Sequence, residues 1–434
     1  MISITLFGVL FVALMLNFPV AIALGGSVLV TILTVPGAPS INTLVSSTIS
    51  LSDSFPLIAV PLFVLAGDIM QTGGLSRRLV DLAFFMVGKV RAGMAYVNIL
   101  ASMFFAAISG SSPATVAAVG SNLIPQMQRL GYPRDFSAAL TASSGMIGVL
   151  IPPSIPLIVY GVSANVSIGS LFVAGIVPGL LLGVLFAITS YLLVGRSMKE
   201  QLSTGAMEEH ADQEKVSFLI VFRRAFWAIL TPVIILGGIY GGIFTPTEAG
   251  AIAVLYAIVV STLIYRELSL RDLYEVLFSS AKVSARILAL VLFSIAFGRL
   301  VTIAEIPQQI AITLQTLSDN PIVIIAMLNI LLLIVGMFLE TISAIIILTP
   351  ILLPVAVAAG MDPLVFGVMM TVNLAIGFCT PPLGVNLFVA SSISQISVNR
   401  ISRAILPFVV GMIIVLLITS YFPQSFLFLV ELIG

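Results

Sequence analysis

The sequence has 434 residues, of which 59% are hydrophobic and 8% are charged, and its formal net charge is zero. Soluble domains carry about 45–50% apolar and about 25% charged residues, so this composition excludes a soluble globular protein and predicts an integral membrane protein. The balanced charge and the lack of a basic patch exclude nucleic acid as an expected partner.

The sequence also argues against metal centres and common enzyme classes. A single cysteine, Cys379, rules out an intrachain disulfide framework, and a single histidine, His210, rules out a multi-histidine transition-metal site. The GxxxxGK[ST], HExxH and GxSxG motifs are not found. We therefore expect a protein that is not an enzyme and that carries no organic cofactor.

Apolar runs of about 20 residues, long enough to cross a hydrocarbon core about 30 Å thick, recur along the chain and predict an all-α polytopic membrane protein. The first run has no basic region or small-residue cleavage site, which indicates a retained span rather than a signal peptide. In chain order the predicted spans are 3–16, 19–34, 55–72, 133–165, 168–195, 224–242, 246–265, 282–305, 362–393 and 402–422.

Two segments differ from simple spans. Residues 92–130 and 321–358 each hold two apolar stretches, shorter than the roughly 20 residues of a full span, that meet at the polar tips SGSSP (109–113) and LETIS (339–343). Each pattern predicts a re-entrant helical hairpin. The amphipathic segments 75–90 and 267–280 predict arms along the membrane surface or ordinary loop helices.

A charged linker at 196–223 separates two copies of an internal repeat. At a constant offset of 229 residues, turn residues of the first copy match those of the second: Pro125 and Pro354, Gly131 and Gly360, Gly148 and Gly377, Pro152 and Pro381, Pro153 and Pro382, Pro178 and Pro407. The predicted copies are 1–195, with a hairpin at about 92–130 and a broken helix at about 133–165, and 224–434, with a hairpin at about 321–358 and a broken helix at about 362–393.

The predicted orientation follows from the spans and the charges. Each copy contains an odd number of spans, so the second copy is expected to be inverted relative to the first. With the amino terminus outside, every one of the 18 Lys and Arg residues except Arg299 lies on or near the cytoplasmic face. That distribution is the one expected for an inner-membrane protein with cytoplasmic positive charge.

Proline pairs interrupt two of the predicted helices, in GVLIPPSIPLIVYG (148–161) and GFCTPPLGVNLFVA (377–390). Proline removes backbone donors, so carbonyl oxygens near the break are free to bind a cation, and the half-helix that follows directs a positive dipole end inward. Hydroxyls of Ser109, Ser111, Thr341 and Thr380 add oxygen ligands of the kind that sodium takes. One tip and one break thus predict one cation site, the repeat predicts two, and an anion is expected between the tips.

Five motifs together resemble a known family: AISGSSPATVAAVG (107–120), GVLIPPSIPLIVYG, FTPTEAGA (244–251), GMFLETISAIIILTPILLP (336–354) and GFCTPPLGVNLF. They resemble the DctM-like (SiaM-like) large membrane subunit of tripartite ATP-independent periplasmic (TRAP) transporters. The likeness covers essentially the whole chain. It implies sodium-coupled uptake of an organic acid such as a four-carbon dicarboxylate or sialic acid across the bacterial inner membrane, by an elevator movement of a transport domain against a scaffold.

The same resemblance implies partners, namely a separate four-helix DctQ-like membrane subunit and a DctP-like periplasmic binding protein. A stand-alone sodium–dicarboxylate carrier with the same plan of hairpins and breaks is the nearest alternative. A channel would usually show a continuous polar pore lining, which this chain lacks.

The candidate site residues lie in these motifs. The resemblance implies sodium-binding regions at the tips and breaks, and at least two sodium ions are expected, with the candidate residues Ser109, Ser111, Ser112, Gly148, Ile151, Pro153, Glu340, Thr341, Ser343, Gly377, Thr380 and Pro382. The substrate-binding candidates are Ser112, Pro113, Ser154, Arg299 and Asn386.

Several of these residues have a structural alternative. We expect Arg299 to be a buried anchor for a substrate carboxylate, or else a partner of Asp68 or Glu305 or a side chain reaching the outer headgroups. Glu340 balances a sodium charge or caps the following helix. Asn386 offers its amide to the substrate or makes a helix-to-helix hydrogen bond. We expect Asp68 to form a scaffold salt bridge and Glu248 to stabilise a helix start.

Overall fold

The structure is a computed structural model that describes residues 1–16, 18–42, 45, 55–90, 92–194, 218–318, 320–382 and 384–433. The described residues form helices joined by turns and contain no β-strand, which confirms the predicted all-α fold. Most of the predicted linker 196–223, including His210, lies outside the described residues.

The helices before the linker begin with two short apolar helices and then include the first predicted hairpin and the first broken helix. In order they are α1 (Ile2–Met15), α2 (Val20–Thr34), α3 (Ala59–Thr72), α4 (Leu75–Val87), α5 (Gly93–Ser109), α6 (Ser112–Arg129), α7 (Arg134–Gly145), α8 (Ile155–Ala164) and α9 (Ile168–Leu193). A 3₁₀ turn, Phe55–Ile58, precedes α3, and another, Met146–Val149, follows α7.

The helices after the linker include the second hairpin and the second broken helix. In order they are α10 (Phe218–Tyr240), α11 (Pro246–Val259), α12 (Leu270–Ile303), α13 (Ile306–Leu317), α14 (Pro321–Gly336), α15 (Thr341–Ala358), α16 (Pro363–Gly377), α17 (Val385–Ser394), α18 (Val398–Ala404), α19 (Leu406–Tyr421) and α20 (Gln424–Ile433). A π-helical turn, Val260–Ile264, extends α11.

Long apolar helices support the membrane assignment. Within the described residues, five helices are long and apolar enough to cross a membrane, and seven are if two bent pairs each count as one span. One bent pair is α3 with α4, which meet at 67°, and the other is α18 with α19, which meet at 58°.

Local signals explain where the helices turn at the first tip. Helix α5 ends at Ser109 because Gly110 adopts the left-handed conformation (φ 59°), which favours glycine, and Pro113 starts α6 where its missing N–H costs nothing. At the second tip α14 ends at Gly336, and the Glu340 side chain caps α15 by accepting from the backbone N–H of Ser343 at 3.1 Å. Both turns fall at the tips expected from the sequence.

The offset of 229 residues recurs in the backbone. Helices α6 and α15 are both 18 residues long and begin and end 229 residues apart. Gly131 and Gly360 have nearly the same φ, 83° and 84°, and cis peptide bonds join Pro152 to Pro153 and Pro381 to Pro382. The two halves therefore share local geometry as well as sequence punctuation.

Two groups of helices pack against each other. The hairpin group consists of α5–α9 with α14–α19, in which α8 packs on α15 and α17 packs on α6 and α7. The frame group consists of α1–α4 with α10–α12, in which α3 packs on α11 and α12. The groups meet where α3 and α4 pack on α5 and where α12 packs on α15.

Helix α12 differs from the prediction. It runs for 34 residues without a break and joins the predicted arm 267–280 to the predicted span 282–305. At about 1.5 Å per residue it is longer than a hydrocarbon core about 30 Å thick, so part of it extends past the core or tilts within it. Its start at Leu270 is fixed by a capping box between Ser269 and Asp272.

Candidate functional site

The first tip and the first break lie against each other. The backbone N–H of Ile155 donates to the carbonyl of Gly110 at 3.3 Å. A Cβ on Gly110 would lie 2.5 Å from the carbonyl oxygen of Pro153, and one on Gly148 would lie 2.5 Å from Thr115 Oγ1 and 2.9 Å from the carbonyl oxygen of Ser111. Only glycine at both positions allows the tip and the break to approach this closely.

Oxygen atoms converge at this junction. Thr115 Oγ1 donates to the carbonyl of Ser111 at 2.8 Å and lies 3.1 Å from Ser109 Oγ. Ser154 is buried, donates to the carbonyl of Val149 at 2.6 Å and caps α8 by accepting from the N–H of Leu157. The structure thus brings the candidates of the first tip close to those of the first break. It also adds Thr115, one turn into α6, which was not among the predicted site residues.

The first junction also touches the frame group. A Cβ on Gly67 of α3 would lie 3.3 Å from the carbonyl oxygen of Ile108 and from Ser109 Cα. The frame helix therefore approaches the tip backbone at a residue with no side chain.

The second tip and break are joined through backbone contact. A Cβ on Gly377, at the end of α16, would lie 2.0 Å from the carbonyl oxygen of Gly336, at the end of α14. Near the tip, Thr341 and Ser343 are buried, whereas Glu340 is an exposed residue whose carboxylate accepts from Ser343. Thr380 Oγ1 donates to the carbonyl of Ile376 at 2.9 Å. Among the described residues, no hydrogen bond joins the side chains of Glu340, Thr341 or Ser343 to those of the break.

The two breaks differ in exposure. Pro152, Pro153 and Ser154 are buried, whereas Pro381 and Pro382 are exposed. The sequence repeat predicts two equivalent junctions, and the structure gives one enclosed junction and one that opens to the molecular surface.

Asn386 joins the halves. It is fully buried, and its Nδ2 donates to Ser112 Oγ at 2.7 Å and to the carbonyl of Ala142 at 2.9 Å. Cys379 Sγ donates to the same carbonyl at 3.4 Å. The helix-to-helix hydrogen bond expected for Asn386 is present, and its Oδ1 has no hydrogen-bond partner among the described residues.

Arg299 is placed differently from the prediction. The sequence predicts a buried arginine or a side chain that reaches the outer headgroups, and the structure shows the side chain exposed, one turn before α12 ends at Ile303. Within the described part of the chain it forms no ion pair with Asp68 or Glu305. Asp68 instead accepts a hydrogen bond from Ser280 Oγ at 2.6 Å, so the expected scaffold salt bridge of Asp68 is replaced by a hydrogen bond between α3 and α12.

Other polar contacts support the hairpins. Asn98 Nδ2 donates to Thr141 Oγ1 at 2.7 Å, and Asn373 Nδ2 donates to Asn329 Oδ1 at 2.7 Å. These residues were not candidates, although an asparagine inside an apolar hairpin helix is a signal for such a bond. Glu248 forms a capping box with Thr245 at the start of α11, in agreement with its expected structural role.

The fold and this pairing of turned helices with broken helices define a polytopic membrane permease. The family model described as "Tripartite ATP-independent periplasmic transporter, DctM component" matches residues 7–425. The chain belongs to this DctM family of TRAP transporter large permeases, and it is a multi-pass inner-membrane protein.

Curated relatives agree with the family. The isethionate TRAP transporter permease protein DctMQ of Oleidesulfovibrio alaskensis is 47% identical over 96% of this chain, and the chain spans 65% of that protein's length. The C4-dicarboxylate TRAP transporter large permease protein DctM of Pseudomonas aeruginosa is 40% identical, over 91% of each chain. The sialic acid TRAP transporter large permease protein SiaM of Vibrio cholerae is 40% identical, over 88% of this chain and 87% of that protein.

A solved structure shares the fold. The YdaH transporter of Alcanivorax borkumensis superposes with a TM-score of 0.61 at 17% identity, covering 90% of this chain and 87% of that one. At this identity the likeness concerns the fold alone.

Proposed function

We propose that the chain is a sodium-coupled permease that imports an organic acid anion across the inner membrane. The observation that carries the proposal is the contact of the first tip with its break, at Gly110 and Pro153, and of the helix that leads into the second tip with its break, at Gly336 and Gly377. Backbone at a broken helix is tolerated at membrane depth only where it is buried in protein or lines a cavity, and free carbonyl oxygens there suit a hard cation.

Sodium is assigned to the two junctions. In the first, the carbonyl oxygens of Ser111 and Pro153 and the hydroxyls of Ser109 and Thr115 supply oxygen atoms without a formal charge. In the second, Thr380 and the carboxylate of Glu340, which accepts from the backbone N–H of Ser343, lie in the corresponding segments. Two junctions give the expectation of at least two sodium ions per transport cycle.

The substrate class follows from the family. The relatives are named for isethionate, C4-dicarboxylates and sialic acid, all of which carry at least one anionic group. In our proposal the substrate lies between the tips, where half-helix N-termini favour an anion, with Ser112, Pro113 and Ser154 near it and Arg299 at the outer end of α12.

The elevator movement and the partners are part of the same proposal. The hairpin group would move as the transport domain against the frame group as scaffold, with the amino terminus outside and the second half inverted. A four-helix DctQ-like subunit would support the frame, and a DctP-like periplasmic protein would deliver the substrate. The relative named DctMQ, which is longer than this chain, supports association with a small subunit.

Uptake into proteoliposomes tests the proposal. The chain is reconstituted with its small-subunit partner, and labelled dicarboxylate, sialic acid and isethionate are offered with the sodium gradient and the binding protein each supplied or withheld. Accumulation that needs both is expected. Accumulation with sodium alone would indicate a stand-alone carrier, and equilibration without accumulation would indicate a channel. Uptake indifferent to sodium would refute the sodium coupling.

A further inference from the structure

Asn386 bonds to both halves of the molecule at once. Its backbone N–H donates to the carbonyl of Phe378, inside the second break, at 3.1 Å. Its side chain donates to Ser112 Oγ, at the first tip, and to the carbonyl of Ala142, in the last turn of α7 before the first break. One buried residue therefore contacts the segments that carry both proposed sodium sites.

The orientation of the Asn386 amide is fixed by its partners. A carbonyl oxygen can only accept a hydrogen bond, so the amide must present Nδ2, not Oδ1, to Ala142. Nδ2 carries two hydrogens, and the second is directed to Ser112 Oγ. If the amide were flipped, Oδ1 would face the carbonyl of Ala142, and that hydrogen bond would be lost.

The first half is shaped to accept this side chain. At the end of α7 the backbone N–H groups of the cap bond to the carbonyls of Ser143 and Ser144, because the helix tightens there into a 3₁₀ turn. The carbonyl of Ala142 is thereby left for Asn386 and Cys379 of the second half. A Cβ on Gly145 would lie 2.2 Å from Val116 Cγ2 and 3.1 Å from the carbonyl oxygen of Ser112, so glycine lets α6 approach α7 closely beside Asn386.

We propose that Asn386 is a positioning residue that couples cation binding at the two tip-and-break junctions. A shift of the second break moves the Asn386 backbone through Phe378, and the buried amide transmits the shift to Ser112 and Ala142. Binding at either junction then favours the geometry of the other, and the coupling is reciprocal. This inference rests on the proposed sodium-coupled function.

The test measures sodium binding on the full chain without partners. Thermal unfolding of the purified protein is followed in detergent by fluorescence while NaCl is titrated at constant ionic strength with choline chloride. The wild-type midpoint is expected to rise with sodium in a sigmoidal manner, with a Hill coefficient above 1. In Asn386→Ala the Hill coefficient is expected to fall towards 1, and the half-saturating sodium concentration to rise roughly three- to tenfold, the effect of losing a buried hydrogen bond.

Two further variants separate coupling from folding. Asn373→Ala is the matched control, because Asn373 is also a buried asparagine of the second half, and its side chain bonds, among the described residues, to Asn329 of the same half. It is expected to lower the unfolding midpoint without changing the Hill coefficient. Ser112→Ala removes the same bond from the other side, so it provides the measurement if Asn386→Ala does not fold, and it is expected to lower the Hill coefficient as Asn386→Ala does.

The outcomes distinguish the two proposals. A wild-type midpoint that does not respond to sodium overturns the proposed sodium coupling and, with it, the role of Asn386. A sigmoidal wild-type response that persists in Asn386→Ala, or in Ser112→Ala where only that variant folds, overturns the positioning role alone. An equal fall of the Hill coefficient in Asn373→Ala also overturns it, since any buried asparagine would then have the same effect.

Discussion

The close contact between Gly377 and Gly336 predicts that the second junction cannot accept a side chain at position 377. In Gly377→Ala the new Cβ would lie 2.0 Å from the carbonyl oxygen and 2.3 Å from the carbonyl carbon of Gly336. Real Cβ atoms essentially never lie within 3.0 Å of a neighbour. Because the opposing atoms are backbone, no side chain can rotate away, and α14 and α16 must separate by about 1 Å.

The free-energy cost of separating α14 and α16 can be estimated. A gap of about 0.5–1 Å already removes a quarter to a half of the dispersion energy of the atoms that line it, and overpacking of a dense interface typically costs about 1–3 kcal/mol. Asn329 and Asn373 bridge the same two helices, so their hydrogen bond at 2.7 Å would lengthen as well. We expect Gly377→Ala to lower the thermal unfolding midpoint by several degrees and to weaken sodium-dependent uptake.

Gly26→Ala is the matched control, because Gly26 lies inside α2 and a Cβ there has nothing within 4 Å. Alanine is a better helix former than glycine by about 1 kcal/mol, so this variant should unfold at the same or a higher temperature. The measurements are thermal unfolding in detergent and uptake into proteoliposomes. A Gly377→Ala protein with the unfolding midpoint and sodium-driven uptake of Gly26→Ala would refute the close contact.

Three further changes probe other parts of the molecule. Arg299→Ala and Arg299→Lys should abolish uptake while expression and sodium binding persist, and normal uptake by the alanine variant would remove Arg299 from the substrate site. Asp68→Ala should destabilise the α3–α12 contact by about 1–3 kcal/mol through the loss of the bond from Ser280, whereas Asp68→Asn, which keeps an acceptor oxygen, should retain most of the stability in a thermal unfolding assay. Thr245→Ala should cost about 0.5–2 kcal/mol through loss of the α11 cap, and an unchanged unfolding midpoint would count against that cap.

The sequence predicts local features of the fold well, because these features have local causes. The tip at Ser109–Pro113 follows from a left-handed glycine and a helix-starting proline, and the breaks follow from proline pairs. The continuity of α12 was missed because the charged segment 267–280 differs in composition from the apolar run that follows it, although both lie on the same helix. The predicted spans do not include α13 and α20, which have 12 and 10 residues and are too short to cross a hydrocarbon core.

The partners of the site residues could be predicted only in part. Pairing tip with break within one half requires only the repeat, and the contacts of Gly110 and Gly377 agree with it. The bonds of Asn386 to Ser112 and Ala142 join residues 274 and 244 positions apart, and no pattern in the sequence predicts them. Burial of Arg299 was wrong because apolar neighbours in sequence do not reveal which helix face is covered, and Ile303, on the same face, is 42% exposed.

The two breaks differ in exposure, and this difference bears on the proposed mechanism. The proline pairs match in sequence, so local chemistry predicts equal environments for Pro153 and Pro382. Packing makes them unequal, with Pro153 buried and Pro382 exposed. A carrier built from two related halves must hold them in different environments in any one state, since access from both sides at once would make it a channel. The proposed elevator movement would exchange these environments. Asn386 is bonded to both halves, so a shift of one break would be transmitted through it to the other half.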